Sequence, residues 1–279
     1  MDSIAPGTIV PFSRMQHPQP LSRYERQQVR TIAAWKGAPA GILARFLQGW
    51  TAPVTRGMQR MLRPSAGRMI EAVLERMAAR TAERDSILRD PRLRRAGITS
   101  LQDLVDRPLE YADVLADYVI ADARSRAVKA GVLTGFTSPT ALAVGVPVAI
   151  DAALRAIHRI AQAYGYPGDT AVDRRLSLQT LALSLAVSRR DHERALRDYQ
   201  RALADGMVGS MVEDTASALL RRIVIRVQLG TAVPAAGALM NAYLHARFVD
   251  KAAVAAKYVF QERWLRDHGK VAWIAPVTR

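Results

Sequence analysis

The 279-residue chain contains no cysteine. It therefore has no disulfide framework, no thiol nucleophile and no cysteine-ligated zinc or iron–sulfur site, and it fits a reducing compartment. It also lacks a GK[ST] phosphate loop, a GxGxxG turn after a strand and a GxSxG nucleophile turn, which argues against nucleotide binding, a dinucleotide fold and serine hydrolase chemistry. The sequence thus predicts no cofactor.

Lysine and acidic residues are scarce relative to arginine. The chain has 40 basic and 25 acidic side chains, a net charge of +15, and only five of the basic residues are Lys. Such a charge favours anionic partners such as nucleic acid or the inner leaflet of a membrane. We find no helix-turn-helix spacing and no aromatic residues interleaved with the basic ones, so the pattern argues against nucleic acid as the partner.

Helical periodicity runs through most of the chain and predicts an all-α fold, a multi-helix bundle with a small-residue-rich apolar helical hairpin near its centre. We predict a mobile leader over residues 1–20 without a secretory signal, a single helical domain over 21–268 and a tail over 269–279. The longest helix is expected over residues 235–267. Its small residues repeat with 4-3-4-3-4 spacing, which permits a close neighbour: Ala242, Ala246, Val249, Ala253, Ala256 and Phe260.

Several helix starts can be placed from capping residues. Ser100 with Asp103 and Thr170 with Asp173 have capping-box spacing, and Asp191 is expected to open the helix that follows. Two further helices are predicted over residues 64–88 and 210–229. The first of them carries Arg residues four apart, and a second basic patch follows it, so both patches are candidates for an anionic surface: Arg76, Arg80, Arg84, Arg92, Arg94 and Arg95.

Residues 130–150 contain no charge and are long enough to cross a bilayer. Ser138 followed by Pro139 should start a new helix in the middle of this stretch, and Val146 with Pro147 is predicted to start another. Two short helices folded back on each other are therefore favoured over a simple span. A buried small-residue core segment is the alternative. The candidate membrane-contacting residues are Val132, Leu133, Phe136, Leu142, Val144 and Val146.

Two segments of similar sequence, each beginning with a Val-Pro pair, suggest a candidate polar site. At an offset of 87 residues, the Val-Pro pairs at 146–147 and 233–234 coincide, as do His158 and His245. If the two helices pack together, these histidines could join Asp151 and Asn241 in a catalytic site, and hydrogen-bonded or exposed histidines are the alternative. No histidine shows metal-ligand spacing, so no metal site is predicted.

A stripe of acidic residues follows Pro108 on one predicted helix face. Glu110, Asp113 and Asp117 could serve a divalent cation. A solvated or salt-bridged face, with Arg76, Arg80 and Arg84 opposite, is the favoured alternative.

The order of several short motifs resembles the EcsC family of bacterial proteins over roughly residues 21–268. The motifs are Tyr24-Glu25-Arg26 with Trp35, Gly131 to Pro147, Tyr164-Gly165-Tyr166 with Asp169 and Asp173, Val233 to Gly237, Asn241, Arg247-Phe248 and Gln261-Glu262-Arg263-Trp264-Leu265. The resemblance implies an all-helical, membrane-associated protein linked to a transporter or secretion apparatus, and it supplies no catalytic residues.

Three hypotheses about function remain open at this point. The favoured one is a non-enzymatic accessory protein in the cytoplasm, peripheral to or partly inserted in the inner membrane. Its partners would be anionic lipid headgroups and a membrane protein such as an ABC transporter. The second is an enzyme acting on a lipid or other amphiphile, which requires His158, His245, Asp151 and Asn241 to line one pocket. The third is a soluble helical scaffold.

Overall fold

The computed structural model describes residues 9–10, 19–38, 87–134, 139–168, 170–186, 188–204 and 238–277. Within these ranges the side chains of residues 9–10, 130–134, 139–147, 171, 204, 238–242 and 244–245 are not included. The helices predicted over residues 64–88 and 210–229 therefore lie almost wholly outside the described part of the chain. What the structure describes is the greater part of the predicted helical domain.

The regular secondary structure of the described chain is helical apart from one two-residue strand pair and a 3-10 turn at Ile87–Arg89, which confirms the all-α fold class. In chain order the elements are β1 (Ile9–Val10), α1 (Arg23–Gly37), α2 (Pro91–Arg95), α3 (Gln102–Val105), α4 (Leu109–Thr134), α5 (Pro139–Ala163), α6 (Ala171–Ser184), α7 (Arg189–Ala204), α8 (Ala238–Asp267) and β2 (Trp273–Ile274).

Local capping chemistry sets most of the helix starts. The predicted pairs Ser100–Asp103 and Thr170–Asp173 both form reciprocal side-chain to backbone hydrogen bonds. The start predicted at Asp191 is wrong, because α7 begins at Arg189. Ser188 caps the helix, since its hydroxyl oxygen accepts a hydrogen bond from the Asp191 N–H at 3.1 Å.

Helix α5 begins at Pro139, as predicted, and continues without a break to Ala163. The second start predicted at Val146 and Pro147 is therefore wrong. An interior proline removes one backbone hydrogen bond and costs roughly 3 kcal/mol. The turns that follow Pro147 offset this cost, because they bury apolar side chains such as Ile150, Leu154 and Ile157 in the core.

Helices α4 and α5 form an antiparallel hairpin. Arg159 of α5 pairs with Asp122 of α4, and Tyr164, just after α5, reaches back to Asp113 near the start of α4. This register places the uncharged residues 130–150 at the joined ends of the two helices. The predicted hairpin is present in the backbone, but the expectation of two short helices is wrong, because its arms are the ends of helices of 26 and 25 residues. Within the described ranges, no helix combines the length and apolar composition needed to cross a membrane.

Helix α8 is the central element, packed against α4, α5 and α6. It runs antiparallel to α4, because its residues pair with α4 in reverse order: Asp250 with Arg124, Lys257 with Asp117 and Gln261 with Asp113. The predicted small-residue face is buried from Ala246 through Phe260, so this prediction is confirmed where side chains are described.

The C-terminal tail belongs to the same core. Gly269, with a φ of 70°, ends the last turn of α8, and Val271 and Ile274 are fully buried. Trp273 and Ile274 pair with Val10 and Ile9 in an antiparallel register. A domain end at residue 268 therefore leaves out residues that pack in the domain's own core, and Ile9–Val10 of the predicted leader are joined to them.

Candidate functional site

Three consecutive polar residues near the end of α8 connect several buried polar groups of different helices. Gln261 and Glu262 are fully buried, and Arg263 is partly buried. Successive residues of an α-helix point about 100° apart, so these three side chains leave α8 in different directions. We call them the α8 hub, because each reaches a different part of the chain.

Gln261 meets a buried carboxylate on α4. Its Nε2 donates to Asp113 Oδ2 at 2.7 Å, while the hydroxyls of Tyr24 and Tyr164 donate to the same carboxylate at 2.6 Å each. Burial raises the pKa of Asp113 above its ordinary value, against the lowering effect of these hydrogen bonds. The cluster joins α1, α4, α8 and the turn after α5 through one acceptor group.

The structure shows which groups the residues of the predicted acidic stripe contact. Asp113 is not solvated but saturated by three donors, and Asp117 pairs with Lys257, whose Nζ lies 2.7 Å from both carboxylate oxygens. Among the described residues, no group of three acidic or histidine side chains could hold a metal ion. The salt-bridging partner in the described chain is Lys257, whereas Arg76, Arg80 and Arg84 lie outside the described residues.

Glu262 forms the second arm of the hub. Its carboxylate accepts from Lys36 Nζ at 2.7 Å, from the Tyr199 hydroxyl at 2.9 Å and from the backbone N–H of Ile274 at 2.9 Å. Lys36 also donates to the carbonyl oxygen of Ile274 at 2.8 Å, and its Nζ lies 3.2 Å from the centroid of the Trp273 ring. The pair therefore ties α1, α7 and β2 to α8.

Burial lowers the pKa of Lys36 to about 8, and the charge of Glu262 opposes this shift. Our sequence analysis did not single out this pair. One signal was available, because Lys36 falls at i, i+3, i+4, i+7 spacing with Val29, Ile32 and Ala33, all of them buried on α1. A lysine on an apolar helix face predicts a buried partner, although it does not say which one.

Arg263 is the third arm of the hub and binds the first turn of α6. Its guanidinium pairs with Asp173, which forms the capping box of α6 with Thr170, at 2.5 Å. The guanidinium also stacks 3.8 Å from the Tyr166 ring centroid. Tyr166 in turn donates to Asp267 at 2.8 Å. Gly165 makes the preceding turn possible, since its φ is +85° and a Cβ there would lie 2.3 Å from Val105 Cγ2.

A different environment lies between α4 and α5, on the hairpin side of the molecule. There the two helices leave a groove of about 220 Å³. Alanine and valine side chains of both helices form its apolar surface: Val119, Ala123, Ala127, Val148, Ala152 and Ala156. We call this feature the α4–α5 groove.

Charged side chains complete the lining of the α4–α5 groove. They are Arg126, Arg155, Arg159 and Asp151. Arg126 and Arg159 both bind the carboxylate of Asp122, and Arg155 pairs with Asp151 at 3.1 Å. The carboxylates hold the guanidinium groups beside the apolar surface, an arrangement suited to a ligand with an anionic head and apolar atoms next to it.

The comparison with known families agrees with the resemblance that the motifs indicate. The model of the EcsC protein family matches residues 26–265. The chain belongs to the EcsC family. No curated protein and no solved structure matches it. The matched range includes both the α8 hub and the α4–α5 groove.

The four residues predicted as a polar site in this EcsC chain do not all line the described groove. Asp151 lines it, whereas His158 lies two turns further along α5, buried, with its Nε2 2.9 Å from Gln162 Nε2. Gly168 packs directly against the His158 ring. Asn241 and His245 lie on α8, but their side chains are outside the described residues, so the four-residue site stays a prediction.

The predicted membrane-contacting residues are placed only in part. Val132 and Leu133 lie in α4 and Leu142, Val144 and Val146 in α5, near the joined ends of the hairpin, but their side chains are outside the described set. Phe136 lies outside the described residues altogether.

Of the predicted basic candidates, those of α2 are exposed. Arg92 also stacks 3.9 Å from the Tyr118 ring centroid, while Arg94 and Arg95 face solvent.

An additional basic surface was missed by the sequence analysis. Four exposed arginines of α7 recur at i, i+4, i+7 and i+11 and so share one face: Arg190, Arg194, Arg197 and Arg201. The same four-residue spacing that drew attention to Arg76, Arg80 and Arg84 would have identified them.

Proposed function

We propose that this EcsC-family chain is a non-enzymatic, membrane-associated protein that inserts the joined ends of α4 and α5 into one leaflet. One observation carries the proposal. The uncharged residues 130–150 coincide with the end of a helical hairpin, and exposed basic side chains follow directly behind it on both helices. The family resemblance, with its link to a transporter or secretion apparatus, supports an accessory role at the cytoplasmic face of the inner membrane.

The length of the uncharged end supports partial insertion. At 1.5 Å per residue, the uncharged helical part extends roughly 8 Å along α4 and roughly 18 Å along α5. A hydrocarbon core is about 30 Å thick, so the hairpin reaches into one leaflet and does not cross both.

The basic residues behind the hairpin end support an electrostatic contribution. Arg126 and Lys129 on α4 and Arg155 on α5 are exposed. Long basic side chains lie along apolar surface and extend their charges to the headgroups. Each base near an anionic surface contributes on the order of 1 kcal/mol, so these three residues add to the apolar contact.

Fractionation of the native protein tests the proposal. We expect recovery with membranes that a high-salt wash reduces only in part, because the apolar contact is insensitive to salt. Leu142→Arg should lower the recovered fraction, since a charge placed in hydrocarbon costs roughly 2.5–3.5 kcal/mol. Val114→Arg is the matched control, because Val114 is an exposed apolar residue of α4 far from the hairpin end.

Three results would contradict the proposal: untreated protein found wholly in the soluble fraction, equal losses for Leu142→Arg and Val114→Arg, or complete removal by salt. The last of these would mean that basic surfaces alone attach the chain to the membrane.

A further inference from the structure

We infer that the α4–α5 groove binds the phosphodiester headgroup of an anionic phospholipid whose acyl chains stay in the bilayer. This inference rests on the proposed function, because it places the groove at the level of the headgroups once the hairpin end is inserted. The groove lies next to the uncharged segment, between residues 119–127 of α4 and residues 148–159 of α5. It therefore faces the part of the lipid that carries charge.

The donors at the groove exceed the acceptors that the protein supplies. A guanidinium carries five N–H donors in a rigid plane that matches two phosphate oxygens. Arg126 and Arg159 share the single carboxylate of Asp122, and Arg155 pairs with Asp151 through one short contact. Within the described part of the chain, most of the N–H donors of these three arginines thus remain available for an additional acceptor.

The charge of the groove matches a phosphodiester. Three guanidinium groups and the two carboxylates that bind them leave one net positive charge. A phosphodiester carries one negative charge, so the occupied groove would be neutral. The exposure of the arginines also fits, since the side chains of Arg126 and Arg155 are 54% and 48% exposed and can turn toward a ligand.

The size and lining of the groove fit the headgroup of a phospholipid but not its acyl chains. Its volume of about 220 Å³ is below the roughly 300–1,000 Å³ of pockets that enclose drug-sized ligands. It can accept a glycerophosphate group but not a long acyl chain. The methyl groups of Ala152 and Ala156 offer contact to the glycerol carbons, while the chains continue alongside the uncharged hairpin end.

Two variants and one control test the inference with the full-length protein. Arg155→Gln removes a groove guanidinium, and Ala152→Leu fills the groove without a change of charge. Arg124→Gln is the matched control. Arg124 lies on the part of α4 that lines the groove, and like Arg155 it is exposed and pairs with an aspartate. Its partner is Asp250 of α8, however, so its guanidinium does not line the groove.

The binding probe is dihexanoyl phosphatidylglycerol, used below its micellar concentration in isothermal titration calorimetry. We expect Arg155→Gln to weaken binding about tenfold or more, the size of one lost charge-assisted contact. Ala152→Leu should weaken binding by a similar factor, because the larger side chain occupies the space of the glycerophosphate group. Arg124→Gln should change it less than about threefold. Circular dichroism would verify that each variant keeps its helical content.

Several outcomes would overturn the inference. They are equal effects of Arg155→Gln and Arg124→Gln, no effect of Ala152→Leu, and binding of inorganic phosphate as tight as that of the short-chain lipid. The last would assign the site to free phosphate.

Flotation with vesicles of phosphatidylcholine, with and without one-fifth phosphatidylglycerol, separates this inference from the proposed function. Loss of wild-type flotation defeats membrane association. Retained flotation without binding of the short-chain lipid defeats only the groove.

Discussion

The two ends of the α4–α8 helix pair have opposite chemistry. At the hub end, charged groups of α8, α1 and α4 are buried and hydrogen-bonded to one another, with Glu262, Lys36 and Asp113 at most 1% exposed. At the hairpin end the chain is uncharged over residues 130–150. Alanine side chains form much of the α4–α5 groove there, and the basic side chains of Arg126 and Arg155 are exposed. The difference indicates that the hub positions the helices, and it supports the proposal that the hairpin end contacts a membrane.

The largest effect is expected from Glu262→Ala at the hub. The substitution leaves the Lys36 ammonium buried without its counter-ion, which should lower the free energy of unfolding by about 3–5 kcal/mol. Arg126→Gln at the hairpin end removes an exposed ion pair and should cost less than about 1 kcal/mol. Urea denaturation of both variants measures the contrast. Losses of similar size would mean that the two ends do not differ in this way.

A second effect, somewhat smaller, concerns the other buried carboxylate of the hub. Asp113→Ala leaves the donors of Tyr24, Tyr164 and Gln261 without an acceptor, and we expect a loss of about 2–4 kcal/mol. Asp113→Asn should cost less than half of that, because it retains one acceptor and removes a charge that burial disfavours. Thermal unfolding would measure both variants, and an equal loss for the two would show that the charge itself is essential.

The segment of α8 between the two ends provides an intermediate case. Ala253 is fully buried on the small-residue face of α8. Ala253→Leu should destabilise by about 1–3 kcal/mol, because three additional carbons have no space in a packed core. Val114→Leu, at an exposed site of α4, is the control. A neutral result for Ala253→Leu in denaturant unfolding would show that the neighbouring helices can move apart to admit a larger side chain.

The smallest expected effect is the dependence of stability on pH. Burial lowers the pKa of Lys36 to about 8, below its ordinary value of 10.5, so above pH 8 the folded chain binds fewer protons than the unfolded chain. The free energy of unfolding should therefore rise between pH 8 and 9.5, by about 1–2 kcal/mol. Lys36→Met should remove most of the rise, because burial also lowers the pKa of Lys251. An undiminished rise in that variant would assign it to other groups.

What the sequence could predict depends on how far apart the interacting residues lie. The capping pairs Ser100–Asp103 and Thr170–Asp173 act within three residues, so composition and spacing suffice to find them. The small-residue face of α8 follows from its own periodicity. Lys36 and Glu262, in contrast, are separated by 226 residues, and no local pattern connects one to the other.

The wrong helix starts have a related cause. Ser188 and Asp191 are both good capping residues, as Pro139 and Pro147 are both suitable for a first turn, so the local pattern offers two starts in each case. The structure uses the earlier start in each case. Of the candidate site, Asp151 could be found on its polar helix face, but the groove could not, because it depends on the register between α4 and α5.

The distance in sequence between Lys36 and Glu262 also bears on how the chain is made. At about 5–20 residues per second, synthesis reaches Glu262 roughly 10–45 s after Lys36. Until then α1 lacks the carboxylate that neutralises its buried ammonium, and it also lacks Ile274 and Trp273, which complete the ammonium's contacts. Docking of the first helix is therefore expected to be among the last steps of folding, after the tail of the chain has left the ribosome.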